Sequence, residues 1–356
     1  ALCLSHPEVV RLLTRGALDA LEADPAADIL SVSQNDNPQY CHCPACQAVA
    51  DEEGSQAGPL IRAVNAVAAA VAQRHPHVLV DTLAYMYSRK PCRTKPADNV
   101  IVRLCSFECE FDTTLDDPQR EPNAGFAADL EGWSRLTNRL YVWDYTTDFD
   151  IYLQTFPNFH VLQPNIQYLL RHHVTGIFEQ GNREPDGEFG ALRAYLLAKL
   201  LWNPEEDVQA LTDGFLEHYY GKGWRHLKAY ITGFEELIRE LGTGATIYAK
   251  TEKLVLFKDR RTRAFLERAR AWWDEAEAEA AGEQKERGRR SRLQFTYLSQ
   301  CAACDEQKDT ASWKQENGRL RADLIRCGIR MREHIKGTLE EVDTDISPLE
   351  WVDPTR

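Results

Sequence analysis

Two hydrophobic periods alternate along the first two hundred residues of the chain. Short apolar runs, many of them β-branched, occupy residues 29–33, 78–85, 99–104, 139–145 and 174–179. Their length and composition predict β-strands. Between them, apolar residues recur at three- and four-residue spacing, which predicts helices at about 6–22, 60–74, 124–137, 159–171 and 187–202. Strands separated by helices in this way predict βα units and a parallel sheet.

A parallel sheet of this kind is either an open doubly wound sheet or a closed (β/α)₈ barrel. No glycine-rich phosphate loop follows any of the strands, which weakens the nucleotide-binding, doubly wound alternative. Polar side chains collect instead at or just beyond the strand ends, as a barrel active site requires. They are Asp36, Tyr85, Glu108, Asp144 and Glu179. The predicted fold class is therefore α/β, and TIM-barrel-like.

The pattern changes after residue 203, where strands largely stop. The segment Asn203-Pro204-Glu205-Glu206 has the cap, proline and acidic residues of a helix start. Further helices are predicted at 224–241, 252–282, 286–308 and 313–337. We therefore expect a barrel part at 1–203 and an α-helical domain at 204–356. The helical region carries no chemical signal, and we expect it to pack against the barrel or to mediate a homodimer.

Composition limits the partners and leaves the compartment open. The 356 residues are 43% hydrophobic with a formal net charge of −13, which disfavours nucleic acid and anionic membrane as partners. No apolar run reaches the roughly 20 residues needed to span a bilayer. The first residues, ALCLSHPEVV, lack a signal peptide and open abruptly, so we expect a piece of a longer protein. The ten cysteines do not have the spacing of a disulfide framework.

Three carboxylates stand at predicted strand ends with unusual neighbours. Asp36 lies in QNDN, Asp144 in YVWDYT and Glu179 in GIFEQGN. An acid that ends an apolar strand is costly unless it is solvated, paired or used. Each could be a loop acid that caps the next helix or part of a turn. Their recurrence at three strand ends favours a shared chemical role.

Aromatic and amide side chains beside these acids suit sugar chemistry. Glycoside hydrolysis needs a proton donor and a second carboxylate, and aromatic faces stack on sugar rings. The candidate substrate-binding residues are Asn35, Asn37, Tyr85, Glu108, Trp143, Tyr145, Asn165 and Gln180. Trp143 could equally pack in the barrel interior.

A C-x-C-x₂-C cluster follows the first strand. Cys41, Cys43 and Cys46 could share a structural zinc ion with a fourth ligand from elsewhere. The same spacing is compatible with one disulfide and a spare thiol, or with three inert thiols. A catalytic cysteine would need a base, and the adjacent His42 is not positioned for that role by sequence proximity alone.

These motifs together resemble a known family. Over about residues 1 to 220, the chain resembles the bacterial family called domain of unknown function 4838. The motifs that carry the resemblance are SVSQNDN with C-x-C-x₂-C, then LAY, NVIVRLC, YVWDY, GIFEQGN and LRAYLLAKLLWNP. That family is regarded as related to the α-glucuronidases of glycoside hydrolase family 67 and, more distantly, to β-hexosaminidase-type barrels.

The resemblance implies a fold and a site. The five strands would be the last five of a (β/α)₈ barrel, with the first three upstream of Ala1. Asp36, after the fourth strand, would stand where α-glucuronidases place their acid, a glutamate in that family. Asp144 and Glu179 would match the two carboxylates credited with activating water. An extracellular or periplasmic location is implied as well.

The leading hypothesis is a glycoside hydrolase acting on a poly- or oligosaccharide. Asp36 would donate the proton, and Glu179 or Asp144 would activate water or stabilise positive charge. No cofactor is required for this catalysis. The alternative is a non-catalytic carbohydrate-binding or scaffold module, and a third hypothesis is a zinc-dependent enzyme that uses the Cys41 cluster.

Overall fold

The computed structural model describes residues 1–182 and 188–329, and it contains one five-stranded parallel sheet. Its strands lie in chain order: β1 (Ile29–Ser31), β2 (Leu79–Ala84), β3 (Val100–Cys105), β4 (Leu140–Tyr145) and β5 (Val174–Gln180). The sheet curls like part of a barrel, with helices between its strands. All five predicted strands are confirmed, and the architecture is α/β and barrel-like.

Six helices are interspersed with the strands. They are α1 (Pro7–Ala23), α2 (Pro44–Glu53), α3 (Ala57–Arg74), α4 (Glu121–Leu136), α5 (Leu162–Arg171) and α6 (Gly190–Trp202). Helix α3 packs against β2 and β3. Val64, Val67 and Val71, three residues of its predicted apolar face, are fully buried. Helix α2 was not predicted. It begins inside the cysteine cluster, where the Cys43 side chain caps it and Pro44 occupies its first position.

The two faces of the sheet differ in burial because side chains alternate along each strand. Along β4, Leu140 and Val142 are fully buried, whereas Tyr141 and Trp143 between them are half-buried. We call the face of Leu140 and Val142 the covered face, and the face of Tyr141 and Trp143 the open face. On the open face, Arg103 of β3 lies over the Tyr141 ring.

Helices follow in the rest of the chain: α7 (Val208–Tyr220), α8 (Trp224–Leu241), α9 (Thr251–Leu254), α10 (Arg260–Glu279), α11 (Gly282–Gln307) and α12 (Ala311–Cys327). Three of the predicted helices differ from the structure. The helix predicted to start at Asn203 begins at Val208, because the Asp207 carboxylate accepts from the N–H groups of Gln209 and Ala210.

The second difference concerns the single helix predicted over 252–282. It is two helices, and the Asp259 side chain caps the second by accepting from the Arg261 N–H. The helix predicted at 313–337 runs from Ala311 to Cys327 and ends early, because Gly328 adopts the left-handed conformation of a C-terminal cap; positions 330–337 lie outside the described residues.

The chain divides into two compact units. The first comprises residues 1–109, 115–144 and 167–179; the second comprises 110–114, 145–166 and the described residues from 180 onward. The predicted division at residue 203 stays a prediction. In the second unit, Tyr230 of α8 packs edge-on against Trp273 of α10, and both rings are fully buried. None of the described helices has the length and apolar character needed to cross a bilayer.

Candidate functional site

Asp144 occupies the covered face near the carboxyl end of β4. It is two and four residues beyond Val142 and Leu140, and it is 5% exposed. The Ser106 hydroxyl, just past the end of β3, donates a hydrogen bond to Asp144 Oδ1. The Ser106 N–H also donates to the Trp143 carbonyl at 3.1 Å, which extends the pairing of the two strands. Asp144 is thus a buried carboxyl group with a fixed hydroxyl donor.

Glu179 lies near the end of β5 and interacts with Asp144. Its Oε2 atom is buried and has no hydrogen-bond partner among the described residues. Burial raises the pKa of the Glu179 carboxyl well above its ordinary value, and the charge of Asp144 raises it further. Glu179 is therefore expected to keep its proton well above the pH at which an exposed glutamate loses it.

The residues beside this pair present aromatic rings on the open face. The rings of Trp143 and Phe178 meet edge to face, with centroids 4.9 Å apart. Phe178 is 47% exposed, and Trp143 is half-buried. In each strand the aromatic residue comes directly before the acid. Because successive side chains point to opposite faces of a sheet, the ends of β4 and β5 carry rings on one face and carboxyl groups on the other.

Gly176 determines how closely β5 approaches β4. A Cβ atom at this position would lie 2.7 Å from the nearest carbon of the Tyr141 ring, which is closer than a real Cβ contact. The absence of a side chain therefore lets Tyr141 lie directly against the backbone of β5. This contact is on the open face, as is the Trp143–Phe178 pair.

Asp36 lies in the loop after β1 and belongs to a different group of contacts. It is exposed, and its Oδ1 accepts a hydrogen bond of 3.1 Å from the Tyr85 hydroxyl. The Gln34 amide donates to the Tyr85 carbonyl at 3.1 Å and accepts from the Ser88 hydroxyl, which fixes the loop against the end of β2. Asp36 thus differs from Asp144 and Glu179 in burial and in its partner.

The flanking asparagines form a turn. The Asn37 N–H donates to the Asn35 carbonyl at 2.8 Å, and the Asn37 side chain accepts from the Gln39 N–H at 3.0 Å. The turn interpretation therefore accounts for Asn37, whose oxygen is engaged locally. Asn35 keeps an exposed side chain.

Three consecutive residues after β3 connect the two groups of contacts. Ser106 donates to Asp144, and the Phe107 ring meets the Tyr85 ring edge-on with centroids 5.3 Å apart. Glu108 accepts from Arg89 at 2.9 Å. The predicted acids therefore lie along one edge of the sheet.

Sequence reasoning missed the partners of Glu108. Arg89 also donates to Asp129 of α4 at 2.8 Å. Its two partners are distant in the chain: Glu108 is 19 positions away and Asp129 is 40 positions away. Asp129 is half-buried, and burial raises its pKa more than Arg89 lowers it. No local pattern marks such a pair. Ser106 was identifiable in principle, because it directly follows the apolar run of β3.

Three predicted sugar-binding residues belong to the second unit. The Tyr145 ring is buried and packs against Phe111 and Phe149, with centroids 6.3 and 5.7 Å away. Asn165 is buried in α5. Gln180 accepts at its carbonyl from the Thr146 N–H at 2.9 Å. The Tyr145 ring is thus part of a packed aromatic cluster.

The cysteine cluster gains a fourth member in the structure. Cys3 joins Cys41, Cys43 and Cys46, and the four sulfurs lie within 4.8 Å of one another. All four are free thiols. Hydrogen bonds lower the pKa of Cys43 to about 6. The Cys46 N–H has the largest effect, and the Cys3 and Cys41 thiols come next. Sequence reasoning missed Cys3 because it stands alone, far upstream of the motif.

Comparison with known proteins places the chain in a family. The model for the family "Domain of unknown function (DUF4838)" matches residues 1–232, which include all five strands of the sheet. The chain belongs to the DUF4838 family. The cysteine cluster and both groups of acids fall inside the matched region. No curated protein matches the chain. The DUF4838 description names no activity, so the chemistry must be argued from the site.

Proposed function

We propose that this DUF4838 protein is a glycoside hydrolase that acts on a poly- or oligosaccharide through Asp144 and Glu179. The observation that carries the proposal is the contrast within this pair of carboxyl groups. Glu179 has a strongly raised pKa, whereas Asp144 accepts a hydrogen bond from Ser106 that suits its ionised form. Two acids whose environments differ in this way suit an acid and a carboxylate in one reaction.

The contacts favour roles that differ from those expected from the sequence. Glu179, which retains its proton, would protonate the leaving glycosidic oxygen as the general acid. Asp144 would stabilise positive charge at the anomeric carbon or activate water. Asp36, expected from the sequence to be the proton donor, is exposed and would instead orient a sugar hydroxyl together with Tyr85.

The wider assignment rests on the resemblance described above. The five strands would correspond to the last five of a (β/α)₈ barrel related to the α-glucuronidases. Barrel enzymes place their active sites at the carboxyl ends of the strands, where Asp144 and Glu179 lie. The reaction needs no cofactor, its partner would be the carbohydrate substrate, and an extracellular or periplasmic location would give access to polysaccharide.

The test is the hydrolysis of a panel of aryl glycosides and polysaccharides by the full chain. We expect Glu179→Gln to reduce kcat by about 10²–10⁴-fold, because the amide cannot donate a proton to the leaving group. Glu131→Gln is the matched control, since Glu131 is an exposed residue of α4 that pairs with Arg135. Full activity of a folded Glu179→Gln variant would refute the proposal.

The second candidate is a non-catalytic carbohydrate-binding module. It is favoured by the Trp143–Phe178 pair, whose partly exposed rings offer a stacking surface. In this case the wild-type chain would bind glycans without turnover. Phe178→Ala would weaken the affinity measured by calorimetry by up to about tenfold, whereas Glu179→Gln would leave it unchanged. Hydrolysis by the wild type that Glu179→Gln abolishes would exclude this candidate.

A further inference from the structure

We propose that Cys3, Cys41, Cys43 and Cys46 bind one zinc ion in a closed site of four thiolates. The four sulfurs come from two separate segments, one before α1 and one that runs from the loop after β1 into the first turn of α2. Zinc commonly binds four cysteine sulfurs in a tetrahedron in structural sites. The site does not include Asp144 or Glu179, the proposed catalytic pair.

The distances between the sulfurs fit a shared metal ion. Tetrahedral zinc with Zn–S bonds of about 2.3 Å separates its sulfur ligands by roughly 3.8 Å. Cys3 Sγ lies 3.5 Å from Cys43 Sγ and 3.8 Å from Cys46 Sγ. A disulfide would bring two sulfurs to about 2.05 Å and leave the other pair apart. The clustering of all four sulfurs within 4.8 Å therefore favours one metal ion over a disulfide.

Hydrogen-bond donors surround the sulfurs, as a zinc–thiolate site requires. The Ser5 hydroxyl lies 3.1 Å from Cys46 Sγ and 3.5 Å from Cys3 Sγ. The Cys46 N–H donates to Cys43 Sγ at 3.4 Å, at the N-terminus of α2. Four thiolates leave a zinc site with net negative charge, which these donors and the helix N-terminus stabilise.

The site is suited to a structural role. Four protein sulfurs complete the coordination of zinc and leave no position for water or substrate, unlike a catalytic zinc centre. The ion would fasten the segment before α1 to the loop that leads into α2. That loop also carries Asp36, so under the proposed function zinc would help to hold the sugar-binding edge.

Metal content of the purified full chain tests the proposal. We expect about one zinc per chain by mass spectrometry of the metal, and little zinc in Cys3→Ser and in Cys46→Ser. Cys92→Ser is the matched control, because Cys92 is a buried thiol of the same unit whose described contact is with the Thr94 carbonyl. Two variants are used because the buried Cys46 could be needed for folding.

Thiol titration separates zinc from disulfides. In denaturant with chelator and no reductant, a zinc site leaves all ten cysteines reactive, whereas each disulfide removes two. Any one of three results would overturn the proposal. They are the absence of zinc after growth and purification with added zinc, equal zinc in Cys3→Ser and wild type, and iron in place of zinc. Glu179→Gln should retain its zinc, so failure of the sugar hypothesis and failure of the zinc hypothesis are distinguishable.

Discussion

Glu179 in the first unit and Glu188 in the second are both glutamates with raised pKa, but the groups that face them carry opposite charges. Glu188 is completely buried, and Arg193 Nη1 lies 2.5 Å from its Oε1. Burial raises the pKa of Glu188 to about 7, with Arg193 opposing the rise. Glu179 interacts with the carboxyl group of Asp144, and its pKa is raised well above the ordinary value.

The contrast separates a structural acid from a candidate functional one. Arg193 is held by the Asn158 side chain at 3.0 Å and the Phe156 carbonyl at 3.3 Å, so its ion pair is embedded in hydrogen bonds. A buried acid beside another acid destabilises the fold and has no such compensation. Arrangements of this kind are concentrated where a reaction needs a shifted pKa.

The largest effect is expected from removing the cation of the structural pair. Arg193→Met should lower the free energy of unfolding by about 3–5 kcal/mol, because it leaves Glu188 buried without its partner. Urea unfolding followed by circular dichroism measures the change. Lys199→Met, an exposed cation on the same helix, should stay within about 0.5 kcal/mol of wild type. A loss as small as that control would mean that the ion pair contributes little.

The pH dependence of stability should reveal the raised pKa of both glutamates. In each case the folded pKa exceeds the unfolded value of about 4.5, so stability is fully present below that pH and is lost as pH rises through the folded pKa. Glutamine does not titrate, so Glu179→Gln should gain stability relative to wild type as pH rises above about 4.5. Thermal unfolding at a series of pH values measures this gain.

The pH window for Glu188 has a definite upper end, because its folded pKa is about 7. The loss of stability linked to Glu188 should level off just above pH 7, where its carboxyl group is ionised in the folded chain as well. A stability difference between Glu179→Gln and wild type that is constant from pH 4 to pH 9 would contradict the raised pKa of Glu179.

The smallest effect is expected from removing the negative charge of Asp144 beside Glu179. Asp144→Asn should lower the pKa of Glu179 without restoring its ordinary value, because burial is the larger cause of the shift. Carbon NMR of glutamate-labelled protein follows the titration, and the pKa of Glu188 serves as the internal reference. If the Glu179 pKa were unchanged in Asp144→Asn, the interaction between the two carboxyl groups would be refuted.

The strands were predictable because each apolar run is too short for a helix and many of its residues are β-branched. The resulting parallel order placed the acids along one edge. Strand alternation even indicates that Asp144 shares a face with Leu140 and Val142. Long-range partners were not predictable. Ser106 meets Asp144 38 positions away, and Cys3 meets Cys43 40 positions away, through contacts that exist only after folding.

Competition between neighbouring sequence signals explains why α2 was not predicted and why the start of α7 was misplaced. The cysteines of the C-x-C-x₂-C motif suggested ligands, although Cys43 and Pro44 also form a good helix start. At the start of α7, two plausible caps occur four residues apart, and Asp207 rather than Asn203 holds the helix. Sequence patterns of this kind define the presence of an element better than its first residue.

The contact between Gly176 and Tyr141 has an evolutionary consequence. It lets β5 lie close against β4, where Glu179 interacts with Asp144 and Phe178 meets Trp143. A slip of one residue would exchange the acid for the ring. A lineage could therefore lose this carboxyl pair without changing either acid, by acquiring a side chain at a glycine that carries no functional group.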